Sequence, residues 1–249
     1  MSNNQQHFKY STGVIAYPIF FVLSIWIVFW LQVRFFPSIK RLGVYPLELE
    51  GLTGIFTSPF IHSDIEHLYH NSIPLFILSV ALFYFYRKIS WKVLFFGILL
   101  SGLFTWIIGR PANHIGASGL VYVLVSFIFF KGIFAKHFRL VALSLIIVFL
   151  YGSMIWYAFP VKDGMSWEGH LGGLITGFIF AIIFRKAIAK PERYVWQQPD
   201  YNEDDDPFLK HFDENGNFIE NLEPETEEEP LSEADKGATI NYTYKENKD

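Results

Sequence analysis

No cysteine occurs in this chain. Disulfides, thiolate metal sites and a cysteine nucleophile are therefore excluded. Charge is scarce as well: charged residues make up 18% of the chain, against about a quarter in an ordinary soluble domain. The net charge of -4 arises mostly from an acidic C-terminal segment, so it points to no nucleic-acid partner. Nor is there a basic patch interleaved with aromatics of the kind that grips single strands. Met1 to Gln6 are polar and lack the basic start of a signal peptide. The first apolar run is too long for a signal core, and no small-residue cleavage site follows it. It reads as a permanent span.

What is present is apolar surface. Hydrophobic types supply 51% of the residues, and the long runs fall in the first 190. The organisation predicted is a membrane body at residues 1–190 and an acidic, disordered tail at 191–249. A helix needs roughly twenty apolar residues to cross the hydrocarbon core. Six stretches qualify: 14–31, 67–86, 91–108, 118–133, 140–159 and 169–188. The fold class expected is an all-α membrane protein, a six-transmembrane-helix bundle. The fourth stretch is short, which suits a helix buried inside the bundle.

Basic residues between the spans set the orientation. Arg87, Lys88 and Lys92 lie between spans two and three. Lys131, Lys136 and Arg139 lie between four and five, and Arg185, Lys186, Lys190 and Arg193 follow six. The opposite side carries the thinner set Arg34, Lys40, Arg41, Arg110 and Lys162. Both termini are thus expected in the cytoplasm, and the location expected is a bacterial inner membrane. The first loop, residues 34–66, holds the Pro-broken stretches 35–39, 44–49 and 55–61. It is read as lying in the membrane interface.

Polar residues at membrane depth are costly and usually functional. Here they open three spans that run in the same direction: His67 and Asn71 in the second, Gly116-Ala117-Ser118-Gly119 in the fourth, His170 in the sixth. All three groups fall in one layer near the outer face. A serine hydroxyl becomes a nucleophile when a base takes its proton, and histidine is the usual base. Glu168 is the one acid beside His170, and its helical position faces it elsewhere, which favours a Ser118–His170 dyad over a triad. His67 and Asn71 are four apart and share a helix face, so both can point at one oxyanion. The Ser118 amide, at a helix N-terminus, is a further donor.

Bland readings exist for each residue. A membrane serine often bonds a carbonyl one turn back, glycines at 116 and 119 permit close helix packing, and His67–Asn71 can be a cap and a buried hydrogen bond. It is the joint pattern that carries the argument. Two rival chemistries fail on spacing: Leu120 occupies the last position of a G-x-S-x-G elbow, and the His62–His70 stretch fits neither H-E-x-x-H nor its inverse. A zinc site drawn from His62, His67, His70, His114 or His170 stays open. A transporter is disfavoured, since no paired intramembrane acids or half-helix repeats appear. Gly173 and Gly177 share one face of span six below His170. They are expected to seat that helix closely on span four, with Gly172 on another face and tolerant of alanine.

These residues resemble the rhomboid intramembrane serine proteases. Thr57-Ser58-Pro59-Phe60-Ile61-His62 and His67-Leu68-Tyr69-His70-Asn71 are similar to that family's loop-one end and second span. Gly116-Ala117-Ser118-Gly119 with Tyr122 resembles its nucleophile motif, and His170-Leu171-Gly172-Gly173 with Gly177 its sixth span. The likeness covers residues 14–188. It implies a Ser118 nucleophile, a His170 base, oxyanion donors from His67, Asn71 and the Ser118 amide, and Tyr122 packed beside the base. It implies no metal, no cofactor, and transmembrane protein substrates within the bilayer. Gly54 and Ile55 stand where many members carry Trp-Arg. Some relatives lack the catalytic pair and act as membrane chaperones or binding proteins; both members are present here.

In the tail, Asp213, Asn215 and Asn217 alternate like the start of a calcium loop, but Pro224 occupies the twelfth position, so the alternation is read as coincidence. Asn215-Gly216 suits a short turn, and 239–244 has β-propensity.

Overall fold

The computed structural model describes residues 10–135, 137–185, 194–213 and 215–220. The chain divides into two units, Met1–Pro191 and Glu192–Asp249.

The first unit is a helical bundle. Its helices are α1 (Gly13–Arg34), the short α2 (Gly54–Thr57), α3 (Ile65–Phe85), α4 (Ser90–Ile108), α5 (Ser118–Ala135), α6 (Phe138–Tyr151) and α7 (Trp167–Ile183). Among the described residues, five helical segments are long and apolar enough to span a bilayer: α1, α3, α4, α5, and α6 together with the 3-10 turns that extend it to Ala158. α7 is shorter, and residues 186–188 of the expected sixth span lie outside the described residues. The chain is an integral membrane protein.

α5 is the hub. It packs most extensively on α7 and also meets α3, α4 and α6. Leu120, Val123, Leu124, Phe127 and Ile128 are buried, as a central helix requires. Gly173 and Gly177 make the α5–α7 seam possible. A Cβ on Gly173 would stand 2.7 Å from Tyr122 Cβ and press on the Gly119 carbonyl; one on Gly177 would stand 2.7 Å from Ser126 Cβ. Small residues at this spacing let backbones approach. The expectation for Gly172 is corrected: a Cβ there would stand 2.8 Å from Phe104 Cβ, because α4 fills the space on that face.

Three further expectations change. Lys131 is not a loop charge. It lies inside α5, fully buried, and donates to the Phe184 carbonyl at the end of α7, where unsatisfied carbonyls and the negative helix end favour a cation. Span five is not one α-helix, for after Tyr151 it tightens into 3-10 turns over Gly152–Ala158. The first loop is only partly peripheral. Phe35, Leu47 and Leu49 are exposed, but Val44, Ile55, Pro59 and Ile61 are buried, with α2 packed on α4. A backbone pair between Val44 and His114 ties this loop to the segment before α5.

In the second unit the described residues form 3-10 turns at Val195–Gln197, Glu203–Asp205 and Leu209–His211, and a bridge between Phe212 and Phe218. The Asp213 carboxylate accepts from the Asn215 and Asn217 amides and from Asn217 Nδ2, and Gly216 takes φ +79°. The Asp-Asn-Asn alternation is thus a side-chain-capped turn. Residues 221–249, including 239–244, lie outside the described residues.

Candidate active site

α3 starts two residues earlier than its apolar pattern suggests. Asp64, in extended conformation, is its N-cap and accepts from the His67 amide at 2.8 Å, satisfying one orphan donor. His67 is therefore in the first turn and Asn71 one turn below. Ser118 is the first residue of α5, and His170 is in the first turn of α7. The three polar groups stand at three helix N-termini, as their common direction requires.

Ser118 Oγ lies 3.0 Å from His170 Nε2. The other ring nitrogen, Nδ1, is 2.7 Å from the Tyr157 carbonyl. A carbonyl can only accept, so Nδ1 carries the ring proton and a neutral His170 turns the lone pair of Nε2 to the hydroxyl. The tautomer a base needs is thus set by a backbone oxygen on the 3-10 segment after α6. Sequence reasoning missed this partner, since a carbonyl has no residue signature. Tyr122 stacks on the ring, with centroids 4.3 Å apart and planes 10° apart, and its hydroxyl donates to the Met154 carbonyl at 2.6 Å. The 3-10 turns, which expose carbonyls off the helix axis, hold both aromatic rings of the site.

His67 and Asn71 converge on the backbone just before Ser118. A Cβ on Gly116 would stand 2.6 Å from His67 Nε2 and 3.4 Å from Asn71 Nδ2. Gly116 also takes φ +109°, a region costly for residues with a side chain, and its amide donates to the Ser58 carbonyl at 2.9 Å. Gly119 is looser: a Cβ there would make ordinary contacts, 3.5 Å from the Gly169 carbonyl and 3.6 Å from Ser101 Oγ. The Asn71 amide nitrogen is buried with no hydrogen-bond partner among the described residues. A buried unsatisfied donor costs about 1–3 kcal/mol, and this one faces the backbone just before Ser118.

Glu168 does not reach His170. It is buried, and its carboxylate accepts from the Arg110 amide and from Arg110 Nη1 at 3.1 Å to each oxygen. Arg110 Nη2 donates to the Met165 carbonyl at 2.6 Å. Beside this pair, His114 Nδ1 lies 2.6 Å from Ser166 Oγ, and Nε2 donates to the Arg110 carbonyl at 3.1 Å. Burial keeps the His114 ring below its ordinary value, consistent with Nδ1 accepting from Ser166. These bonds clasp the loop before Ser118 to the turn before His170. A cavity of about 30 Å³ opens beside Ser118, lined by Ser58, Ser101, Thr105, His114 and Ser166 among others.

The zinc alternative finds no ligand cluster: among the described residues, no three of His, Asp and Glu gather as metal ligands. His62 and His67 rings stand 5.1 Å apart, edge to face.

The Rhomboid domain profile matches residues 50–187, more than half of the chain. An uncharacterized protein of Mycobacterium tuberculosis is 33% identical over 167 residues, covering 61% of this chain and 65% of that protein. An uncharacterized protein of Mycobacterium leprae is 32% identical over 169 residues, 63% of this chain and 64% of the other. The chain thus spans less than two thirds of the length of these mycobacterial relatives. YdcA of Bacillus subtilis, provisionally named a rhomboid protease, is 24% identical over 200 residues, 74% of this chain and 96% of its own length. With the profile spanning the helices that carry Ser118 and His170, this chain belongs to the rhomboid family of integral membrane proteins.

Proposed function

We propose that the protein is an intramembrane serine endopeptidase that hydrolyses peptide bonds in or beside the transmembrane segments of other membrane proteins. The observation that carries this is the 3.0 Å contact of Ser118 Oγ with a His170 Nε2 whose tautomer is set by the Tyr157 carbonyl. Ser118 Oγ attacks the scissile carbonyl carbon while His170 Nε2 takes its proton. The carbonyl oxygen becomes an oxyanion facing Asn71 Nδ2, His67 and the Ser118 amide, which also lies at the positive end of α5. When the C–N bond breaks, His170 returns the proton to the leaving amine and an ester on Ser118 remains. Water, deprotonated by His170, attacks that ester. The acid is released and the serine proton restored. No residue of this cycle needs a metal or cofactor. Gly116 shapes the oxyanion site, Gly173 and Gly177 seat α7 on α5, and Tyr122 holds the base.

A helical substrate hides its carbonyls in i→i−4 bonds, so the segment cut must unwind. Substrates with Gly, Pro or small polar residues near the outer end of a span are the class expected, because these loosen a helix. The proposal places both termini in the cytoplasm of a bacterial inner-membrane protein and the site toward the outer face.

The test is cleavage of a transmembrane substrate by purified protein in detergent. Ser118→Ala should abolish cleavage and keep thermal stability near wild type, since one oxygen is lost. Undiminished cleavage by that variant overturns the serine mechanism. A wild-type protein that binds unfolded spans but never cuts them, with both dyad residues intact, replaces it with a chaperone-like role.

A further inference from the structure

His67 has a proton problem. For it to donate to an oxyanion, the nitrogen that faces Gly116, Nε2, must carry a hydrogen. Its other nitrogen, Nδ1, lies 3.1 Å from Ser63 Oγ. Ser63 has one hydroxyl proton, and that oxygen lies 2.6 Å from Asp64 Oδ2. The Ser63 hydroxyl and the His67 amide hold the Asp64 carboxyl below the usual carboxylate range, so it is ionised at neutral pH and can only accept. The Ser63 proton therefore goes to Asp64, and the Ser63 oxygen is left to accept from His67 Nδ1–H. A neutral imidazole has a single N–H. With that hydrogen on Nδ1, a neutral His67 turns a lone pair, not a donor, toward the site.

We infer that His67 serves the oxyanion as an imidazolium, and that the Asp64–Ser63 pair is the relay that holds it in that state. The second proton sits on Nε2 and points at the oxyanion. The positive ring is balanced on its far side by the Asp64 carboxylate through the Ser63 oxygen. No bond of the substrate changes in this step; Nε2 takes one proton from water as negative charge develops and returns it to water when the carbonyl reforms. A charged donor is roughly twice as strong as a neutral one, which gives the second donor beside Asn71 its purpose. Asp64 has a second duty, since its Oδ1 caps α3, and one side chain thus fixes both the helix start and the charge of the ring one turn in. Ser63 and Asp64 touch no reacting atom and are positioning residues. The inference rests on the proposed serine mechanism.

The test is a double-mutant cycle read with a small fluorophosphonate, which phosphonylates an activated serine and leaves an oxygen where the oxyanion would be. Asp64→Asn keeps the cap, because Asn is as good at that position, and removes the charge. Ser63→Ala removes the bridge. Each should slow phosphonylation of Ser118 and kcat by about 10- to 100-fold, the loss expected when a partner that fixes an imidazole is removed, with KM and melting temperature little changed. In a His67→Ala background, neither should have any further effect. In the phosphonylated wild type, the His67 nitrogens should show the ¹⁵N shifts of an imidazolium. Losses that persist undiminished in the His67→Ala background, or a neutral His67 in the adduct, overturn the relay. Absence of any labelling at Ser118 in the wild type would instead strike the serine mechanism itself, which separates the two failures.

Discussion

Replacing Gly173 by alanine adds one methyl group at the tightest part of the α5–α7 seam. The new Cβ would stand 2.7 Å from Tyr122 Cβ and 3.2 Å from the Val123 amide nitrogen, with the Gly119 carbonyl closer still. Ordinary carbon contacts begin near 3.4 Å, so the helices must part locally by about 0.7 Å, the difference between 3.4 and 2.7. These neighbours are backbone atoms and a Cβ, none of which can swing away. His170 is one turn above on the same helix, and its Nε2 is 3.0 Å from Ser118 Oγ. If half of the displacement reaches it, the pair passes the roughly 3.2 Å limit for nucleophile and base. Overpacking of this kind costs about 1–3 kcal/mol, and a displacement approaching 1 Å costs as much as about 100-fold in rate. Gly119→Ala is the control, because its Cβ meets only ordinary contacts and should leave the melting temperature alone. The assay is thermal unfolding in detergent together with fluorophosphonate labelling per folded molecule. Equal melting temperature and labelling rate for Gly173→Ala and wild type would refute the reasoning, and would mean the seam can open without strain or consequence.

Asn71→Ala should lower turnover by about 10²- to 10³-fold, the loss of one oxyanion donor, and should not lower stability, since its amide nitrogen has no partner among the described residues to lose; steady-state kinetics and a melting curve check both. Glu168→Gln weakens the clasp with Arg110 and should lower kcat more than it raises KM, with the charge-reversed pair Arg110→Glu/Glu168→Arg recovering part of the loss. Chelators should leave cleavage unchanged, and inhibition reversed by zinc would revive a metal mechanism. His62 is held by burial, and by the nearby His67, from its ordinary 6.5 down to about 4. The unfolded chain then binds a proton that the folded one refuses, so the stability contribution is full above about 6.5 and is lost as pH falls toward about 4; His62→Leu should flatten that part of a melting-temperature profile.

Much of this protein is written in its sequence by itself. Runs of about twenty apolar residues have one stable use, because a bilayer leaves no water to satisfy a bare backbone. Their number, order and polar openings could therefore be read along the chain, as could the Ser118, His170, His67 and Asn71 layer. The glycine spacing at 173 and 177 forecast the α5–α7 seam because it is a property of one helix face. Other features depended on what another segment brought alongside. Lys131 looked like a loop charge until the end of α7 supplied a carbonyl for it. Gly172 looked free until α4 filled the space beside it. The carbonyl of Tyr157 that sets the His170 tautomer, the Arg110–Glu168 clasp and the Ser63 oxygen beside His67 leave no periodic or compositional mark. Each joins a side chain to a backbone atom or to a loop whose path is set by packing, and periodicity within one element carries no information about its neighbours. The sequence determines which elements form and which groups face one layer; only tertiary structure decides which proton sits on which nitrogen.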